Sequence, residues 1–468
     1  MSRALRLALG AALLLLPEAA SAAELDGRSL SLLWSLPFAG ILLSIALFPL
    51  LAPHAWEHHH GKIAALWGVL VLAPMALILG PATALHALVH TALLEYIPFI
   101  LLLLALFTVA GGILVRGNIH GAPGTNTMLL GIGTVLASFI GTTGASMVMI
   151  RPVMRANDDR LHNVHVIVFF IFLVSNIGGS LTPLGDPPLF LGFLRGVDFF
   201  WTTTHLLLET LFAAALLLGL FFLFDTYLYR KEGRIKPDPT PDTPVRITGG
   251  INFFLIFVII SAILMSATVD LGRATVLGTE VELANVLRDL VMVAVTVISL
   301  KLTPKGNRID NGFSWGPIEE VAKLFAGIFV TIIPVLAMLK AGSEGAFAPL
   351  VALVSNPDGS ANHAAYFWLT GGLSSFLDNA PTYLVFFELA GGDPQVLMTQ
   401  AAVTLAAISA GAVFMGANSY IGNAPNFMVY AIARQGGVKM PSFFGYIVWS
   451  GLILVPTFVL VTLIFFQG

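Results

Sequence analysis

Two apolar segments of this chain, 163–194 and 396–433, are long enough to cross a membrane but are interrupted by glycine and proline. The interruption in the first reads SNIGGSLTPLGDPPLF, and its LGDPPLF aligns with IGNAPNF in the second at an offset of 237 residues. Two further interrupted segments, 125–150 and 362–390, contain SFIGTTGA and SFLDNAPT, which align at the same offset. Two motif pairs that share one offset predict an internal repeat with breaks at matched positions.

The composition places most of this chain in lipid. It is 57% hydrophobic and 10% charged, with a mean hydropathy of +0.89, whereas soluble domains are about 25% charged. The predicted fold class is therefore an all-α polytopic membrane protein, with about ten spans plus two re-entrant hairpins, arranged as two inverted repeats with broken helices. Uninterrupted runs of spanning length fall near 30–52, 63–81, 84–115, 203–228, 249–268, 286–302, 321–340 and 443–466.

The basic residues predict the orientation. If 125–150 and 362–390 enter and leave on one side, the connections predicted inside carry sixteen Lys and Arg, and those predicted outside carry five. This excess follows the positive-inside rule. Residues 1–23 combine Arg3 and Arg6 with a short apolar run and small residues, which predicts a cleaved signal peptide. We expect a multi-pass protein of the bacterial inner (plasma) membrane with a periplasmic mature N-terminus.

The sequence divides into predicted units that alternate in orientation. They are the signal peptide 1–23, a first span with its cytoplasmic connection 24–62, repeat 1 at 63–228 (hairpin 125–150, broken helix 163–194), a cytoplasmic linker with a linking span 229–285, and repeat 2 at 286–468 (hairpin 362–390, broken helix 396–433). Each repeat crosses four times, so one linking span inverts the second relative to the first. Inverted repeats with discontinuous helices are typical of secondary transporters, whose sites lie near the midplane.

The breaks carry two carboxylates, Asp186 and Asp378. A carboxylate at membrane depth is costly and usually functional, and each can hold Na⁺ when ionised or carry a proton when neutral. We therefore predict a cation and proton site, with Na⁺ bound at Asp186 and Asp378, that also includes Asn176 and Asn379. Hard cations need several oxygens, and the predicted lining of the substrate site is Thr142, Thr143, Ser146, Ser180, Thr182, Thr382, Asn418 and Asn423.

Other charged groups are expected at the membrane interfaces. Arg151, at the end of the first hairpin, is expected there rather than at the substrate. Glu95, Glu209 and Glu388 are expected to extend towards the outer interface. The tract HAWEHHHGK is expected to be a solvated loop. The chain has no cysteine, which excludes disulfides, thiolate metal sites and cysteine nucleophiles.

The motifs SNIGGSLTPLGDPP and FLDNAP resemble the ion transporter superfamily, in its branch of NhaD-type sodium/proton antiporters, arsenite permeases and CitMHS-like citrate transporters. The resemblance extends over nearly the whole chain after the signal peptide. It implies a homodimer, a scaffold domain, a transport domain built from the hairpins and broken helices, and Na⁺ handling at Asn176, Asp186, Asp378 and Asn379. One departure is the first hairpin tip, which is GTTGAS here where the antiporter and arsenite branch tends to carry an acidic LDN tip.

These features predict a secondary active transporter without catalytic residues and without a cofactor, in which Na⁺ and H⁺ are transported ions. The leading hypothesis is Na⁺/H⁺ antiport by alternating access, with cation and proton competing at midplane carboxylates. The alternative is cation-coupled transport of citrate or a dicarboxylate. An intramembrane hydrolase is a remote alternative, because the spans contain no GxSxG or HExxH arrangement. The expected partners are the lipid bilayer, small ions, a small carboxylate anion for the alternative, and a second copy of the chain, with no nucleic acid.

Overall fold

The computed structural model describes residues 25–232 and 240–467. The predicted signal peptide lies outside this part of the chain. The first half is helical apart from one short strand, β1, at Leu114–Arg116. Its helices are α1 (Leu36–Leu51), α2 (Pro53–Pro74), α3 (Pro81–Thr91), α4 (Ile97–Ala110), α5 (Pro123–Ile140), α6 (Thr142–Ala156), α7 (Val164–Leu173), α8 (Pro187–Leu194) and α9 (Trp201–Glu232).

The second half repeats this helical organisation and adds three short strands, β2 (Arg246–Thr248), β3 (Arg273–Val276) and β4 (Thr279–Glu282). Strand β2 pairs with β1, and β3 pairs with β4. The helices are α10 (Ile251–Thr268), α11 (Leu283–Leu302), α12 (Lys305–Asp310), α13 (Gly316–Thr331), α14 (Ile333–Lys340), α15 (Ala348–Leu353), α16 (His363–Ser374), α17 (Asn379–Leu389), α18 (Pro394–Thr399), α19 (Ala402–Met415), α20 (Ala424–Gln435) and α21 (Phe443–Phe465).

The architecture confirms an all-α polytopic membrane protein. Within the described residues, nine helical stretches are long and apolar enough to span a bilayer, and α13 with α14 makes a tenth if the pair forms one bent span. That pair bends by 43°, where Pro334 lacks an N–H for the helical ladder. Large apolar side chains also cover the outside: Leu77 is 86% exposed and Leu452 is 74% exposed. Lipid is the solvent that accommodates such a surface.

One predicted connection is helical in the structure. Residues 53–62 were expected to form a loop, but α2 begins at Pro53, directly after α1 ends. Proline is well tolerated in the first helical turn, and the helix continues through the histidine tract and Gly61 into the span. Within the described residues, no group of three His, Asp or Glu side chains could hold a metal ion.

Helix α9 gives the depth of the first break. The Thr210 hydroxyl, about a third of the way along α9, bonds the hydroxyl of Ser180 at 2.6 Å. Asp225, nearer the end of α9, bonds Arg160 at 2.8 Å, and Trp201 begins the helix. At 1.5 Å per residue, Asp225 lies about 22 Å from Thr210 in one direction and Trp201 about 14 Å in the other. The break is therefore at intermediate depth, and the loops that follow α6 and α8 lie at opposite ends of the molecule.

A buried ionic cluster fixes the loop after α6 to the end of α9. Arg160 bonds Asp225 and Glu232, both at 2.8 Å, and both carboxylates are almost fully buried. His165 and Asn126 also bond Asp225, each at 2.9 Å. Burial lowers the pKa of Arg160, but the bonds to Glu232 and Asp225 outweigh that effect and raise the pKa above its ordinary value. The guanidinium is therefore charged at every physiological pH.

We expect Asp225→Ala to destabilise the protein by about 3–5 kcal/mol, because it leaves a buried cation with one partner fewer and two donors without an acceptor. Chemical unfolding of the detergent-solubilised protein measures this. The control is Arg273→Gln, which breaks an exposed pair with Glu280 and should change stability by about 0–1 kcal/mol. Equal effects of the two substitutions would contradict the structural role of the cluster.

Candidate functional site

Four helix N-termini converge on the carboxylate of Asp186. Asp186 itself precedes α8, and Asn423 precedes α20. Thr142 is the first residue of α6 and Asn379 is the first residue of α17. The Thr142 hydroxyl donates to Asp186 Oδ1 at 2.8 Å, Asn423 Nδ2 donates to the same oxygen at 3.1 Å, and Asn379 Nδ2 donates to Asp186 Oδ2. Asp186 is 1% exposed, so these donors replace its hydration.

Glycine permits the close backbone approach at this point. Gly141 separates α5 from α6 with a φ of +78°, a conformation that residues with a Cβ rarely adopt. The turn lets the Thr142 N–H donate to the Gly185 carbonyl at 2.8 Å. A Cβ on Gly185 would lie 2.1 Å from the Gly179 carbonyl oxygen. The glycine-rich interruption therefore allows the hairpin tip to meet the broken helix through backbone atoms.

The two breaks are stabilised by equivalent hydrogen bonds. The Thr182 hydroxyl donates to the Ser138 carbonyl at 2.5 Å, and the Ser419 hydroxyl donates to the Ser375 carbonyl at 2.5 Å. Both donors and both acceptors are 237 residues apart. The hydroxyls of Ser138 and Ser375 in turn donate to carbonyls of their broken helices at 2.5 and 3.1 Å, again at that offset. The repeated motifs thus fold into the same local arrangement.

Asn176 joins the network next to Asp186. Its Nδ2 donates to the Ile171 carbonyl at 2.8 Å and to Asn426 Oδ1 at 2.7 Å. Its Oδ1 accepts from Asn423 Nδ2 at 3.3 Å. Asn379 and Asn423 thus bond Asp186 directly, and Asn176 is linked to Asp186 through Asn423.

Other predicted site residues bond to neighbouring backbone and hydroxyl groups. Ser146 bonds Ser175 at 2.8 Å, and Ser180 donates to the Ile177 carbonyl at 2.8 Å besides its contact with Thr210. The Thr382 hydroxyl donates to the Asp378 carbonyl at 3.0 Å, and Asn418 Nδ2 donates to Ser375 Oγ at 2.9 Å. The bonds from Ser180 and Thr382 satisfy backbone carbonyls next to interrupted helices. None of these side chains is hydrogen-bonded to Asp186 within the described residues.

The sequence prediction did not include Asn426, which is fully buried in the first turn of α20. Its Nδ2 donates to the carbonyls of Gly416 and Ser419, both at 2.8 Å. It therefore closes the second break from within the same helix. An amide in the motif NAPNF was the available signal, but the repeat places Leu189 at the equivalent position, so the alignment gave no support for it.

A cavity of about 800 Å³ begins at this network. Asp186 and Asp378 line its inner part together with Thr143. It continues between α4 and α13 on one wall and α6 and α20 on the other, to exposed residues that include Gly312 and Ser314. This exposed end, called the mouth, lies on the side of the loop after α6.

Asp378 and Asn379 present oxygens at the inner part of the site. The Asp378 side chain accepts from the Ala380 N–H at 3.0 Å through Oδ1. Asn379 Oδ1 is buried and has no hydrogen-bond partner among the described residues. A buried amide oxygen without a partner is uncommon and points to a ligand or water at that position. Either oxygen is a suitable ligand for a hard cation.

An ion triad of Arg195, Glu95 and Glu388 lies at the end opposite the mouth. Arg195, after α8, bonds Glu388 of α17 at 2.5 Å and Glu95 at 3.0 Å. Glu95 lies in a π-helical turn, Ala92–Tyr96, between α3 and α4. Both glutamates are less than one-tenth exposed, so they do not extend into an interface as the sequence predicted. The triad connects the membrane span α3–α4 to one element from each repeat.

In this multi-pass helical protein, two hairpins and two broken helices meet at a buried carboxylate, and a cavity leads from there to one face. These features define a membrane transporter. Residues 27–466 match the family described as "putative citrate transport", and the chain belongs to that family. This match confirms the resemblance seen in the sequence. No curated protein matched the chain.

We expect Arg195→Gln to open a path from the far end to the site. The chain has no cysteine, so a single Thr143→Cys reports access to the cavity through its rate of thiol labelling. Loss of about 1.4 kcal/mol of closure free energy would raise labelling from the far side about tenfold. Arg273→Gln, an exposed cation, is the matched control and should leave the rate unchanged. Unchanged far-side labelling in Arg195→Gln would show that the triad does not close this end.

Proposed function

We propose that this protein is a cation-coupled transporter of citrate or a similar di- or tricarboxylate, working by alternating access. The observation that carries the proposal is the convergence of the N-termini of α6, α8, α17 and α20 at the inner end of the cavity. Each helix N-terminus carries the equivalent of about half a positive charge, which favours an anion. The description of the family supports a carboxylate as that anion.

Coupling to a cation follows from the charges at the site. Asp186 and Asp378 repel a carboxylate substrate unless Na⁺ or H⁺ neutralises them. At about 5 Å and an effective dielectric constant near 20, two unit charges interact by about 3 kcal/mol. Cation and anion therefore bind more tightly together than separately. Asp186, Asp378, Asn176 and Asn379 are the proposed cation ligands, and Thr143, at the hairpin tip, is proposed to face the substrate.

The mouth of the cavity and the ion triad support alternating access. The charge distribution of the sequence predicts that the mouth faces the cytoplasm, because the loop after α6 carries basic residues on that side. In this proposal the protein lies in a bacterial inner membrane with a periplasmic mature N-terminus, and two copies form a homodimer. Substrate reaches the site from one side while the triad closes the other.

Na⁺/H⁺ antiport is the second candidate. One observation favours it: Asp186 and Asp378 line the same cavity, and a pair of carboxylates suits two cations that compete for one site. In this case no organic anion is needed.

Transport by purified protein in liposomes distinguishes the two functions. We expect an imposed Na⁺ or H⁺ gradient to drive accumulation of labelled citrate or a dicarboxylate. Protein-free liposomes and liposomes with collapsed gradients are the controls. Dissipation of a pH gradient by Na⁺ without any carboxylate, together with no citrate uptake, would contradict the first proposal and support the antiporter.

We expect Asp186→Asn and Asp378→Asn each to abolish cation-driven uptake while the protein still inserts. The amide keeps the size of the side chain but removes the charge that holds the cation. Asp270→Asn, at an exposed position, is the control and should retain wild-type uptake. The same liposome assay measures all three, and wild-type coupling in either site variant would remove that residue from the proposed site.

A further inference from the structure

Arg151 and Glu388 occupy equivalent positions in the two repeats. Arg151 lies nine residues after Thr142, the start of α6, and Glu388 lies nine residues after Asn379, the start of α17. The two positions are 237 residues apart, the offset of the motifs. They carry opposite charges at opposite ends of the molecule, since α6 runs from the site towards the mouth and α17 ends at the ion triad.

The two charges differ in their partners. Glu388 is neutralised by Arg195 at 2.5 Å. Arg151 forms no ion pair and no hydrogen bond with any residue in 25–232 or 240–467, although it is only partly exposed. A half-buried guanidinium without a partner has a strong tendency to bind an anion. The anion accepts hydrogen bonds from its N–H donors and also neutralises its charge.

The structure holds the Arg151 guanidinium at the mouth. Arg151 lines the cavity that begins at Asp186. A Cβ placed on Gly312 would lie 2.2 Å from an Arg151 Nη atom, and Gly312 has a φ of +59°. Any other residue at 312 would displace the guanidinium. The glycine therefore leaves room for Arg151 on the floor of the mouth.

The other lysine and arginine side chains near the cavity already have partners. Lys323 pairs with Glu319 at 3.6 Å. His60 Nδ1 contacts the Trp56 carbonyl at 3.1 Å, whereas His60 Nε2 is buried without a hydrogen-bond partner among the described residues. Arg155, one turn beyond Arg151, donates to the Val115 carbonyl at 2.7 Å. Among the described lining residues, Arg151 is thus the one lysine or arginine without an ion pair or a hydrogen bond.

We propose that Arg151 binds a carboxylate group of the transported anion at the mouth and sets the preference for multiply charged carboxylates. The inference rests on the proposed function and adds a second anion subsite to it. Nine residues of helix separate Arg151 from the hairpin tip by about 14 Å, so the mouth subsite is distinct from the Asp186 site. The planar guanidinium of Arg151 can donate two parallel hydrogen bonds to one carboxylate, and lysine cannot reproduce this arrangement.

The role of Arg151 can be tested by measuring carboxylate transport by the Arg151→Gln variant in liposomes, with substrate added on the mouth side. We expect the KM for citrate to rise tenfold or more, as for loss of charge-assisted hydrogen bonds. The KM for a dicarboxylate should rise less, and the KM for Na⁺ should not change. Arg151→Lys should recover only part of the citrate KM. Arg155→Gln removes the same charge outside the cavity and is the matched control.

An unchanged citrate KM in Arg151→Gln would overturn the inference while the proposed function stands. Absence of citrate transport by the wild-type protein would instead overturn the proposed function. A second measurement needs no Arg151 variant. Citrate should slow thiol labelling of Ser314→Cys, which lines the mouth, more than chloride of equal ionic strength does, and equal labelling rates would also overturn the inference.

Discussion

Backbone groups freed by a helix break inside a bilayer must find partners within the protein, and the centre of this molecule is organised by that requirement. The hydroxyls of Ser138 and Ser375 and the amide of Asn426 satisfy carbonyls at the two breaks. Because these bonds close the breaks internally, the N-terminal ends of the half-helices remain directed at one point. Asp186 lies at that point and accepts hydrogen bonds from three of the elements that meet there.

The same geometry gives the two ends of the molecule different chemistry. Beyond the site, α6 leads to the mouth and ends near an unpaired Arg151, while α8 and α17 lead to Arg195 and Glu388, which are paired with each other. The ion triad is largely withdrawn from solvent, where replacement of one member is costly. The cavity at one end and the buried ion triad at the other are the observations on which the proposed alternating access rests.

Much of the fold was predictable because the membrane spans and the helix breaks follow from local sequence. The membrane fold follows from the apolar runs, and the two breaks follow from glycine and proline in motifs at one offset. The family followed from the same motifs. Helix α2 was less predictable, since a polar histidine tract resembles a loop when its packing is unknown. The roles of Ser146 and Ser180 could not be predicted from the sequence either, because a hydroxyl near a break can face a ligand or the backbone.

The sequence by itself determined the solvent of this chain, the positions of its broken helices and the identity of its two deep carboxylates, since composition and backbone stiffness act locally. Only the tertiary structure decided which groups meet. It paired Asp186 with Thr142, Asn379 and Asn423, and it joined Arg195 to two distant glutamates. It left Arg151 facing a cavity. The reason is that hydrogen bonds and ion pairs depend on distances of a few ångströms between segments hundreds of residues apart, and those distances exist only after the helices have packed.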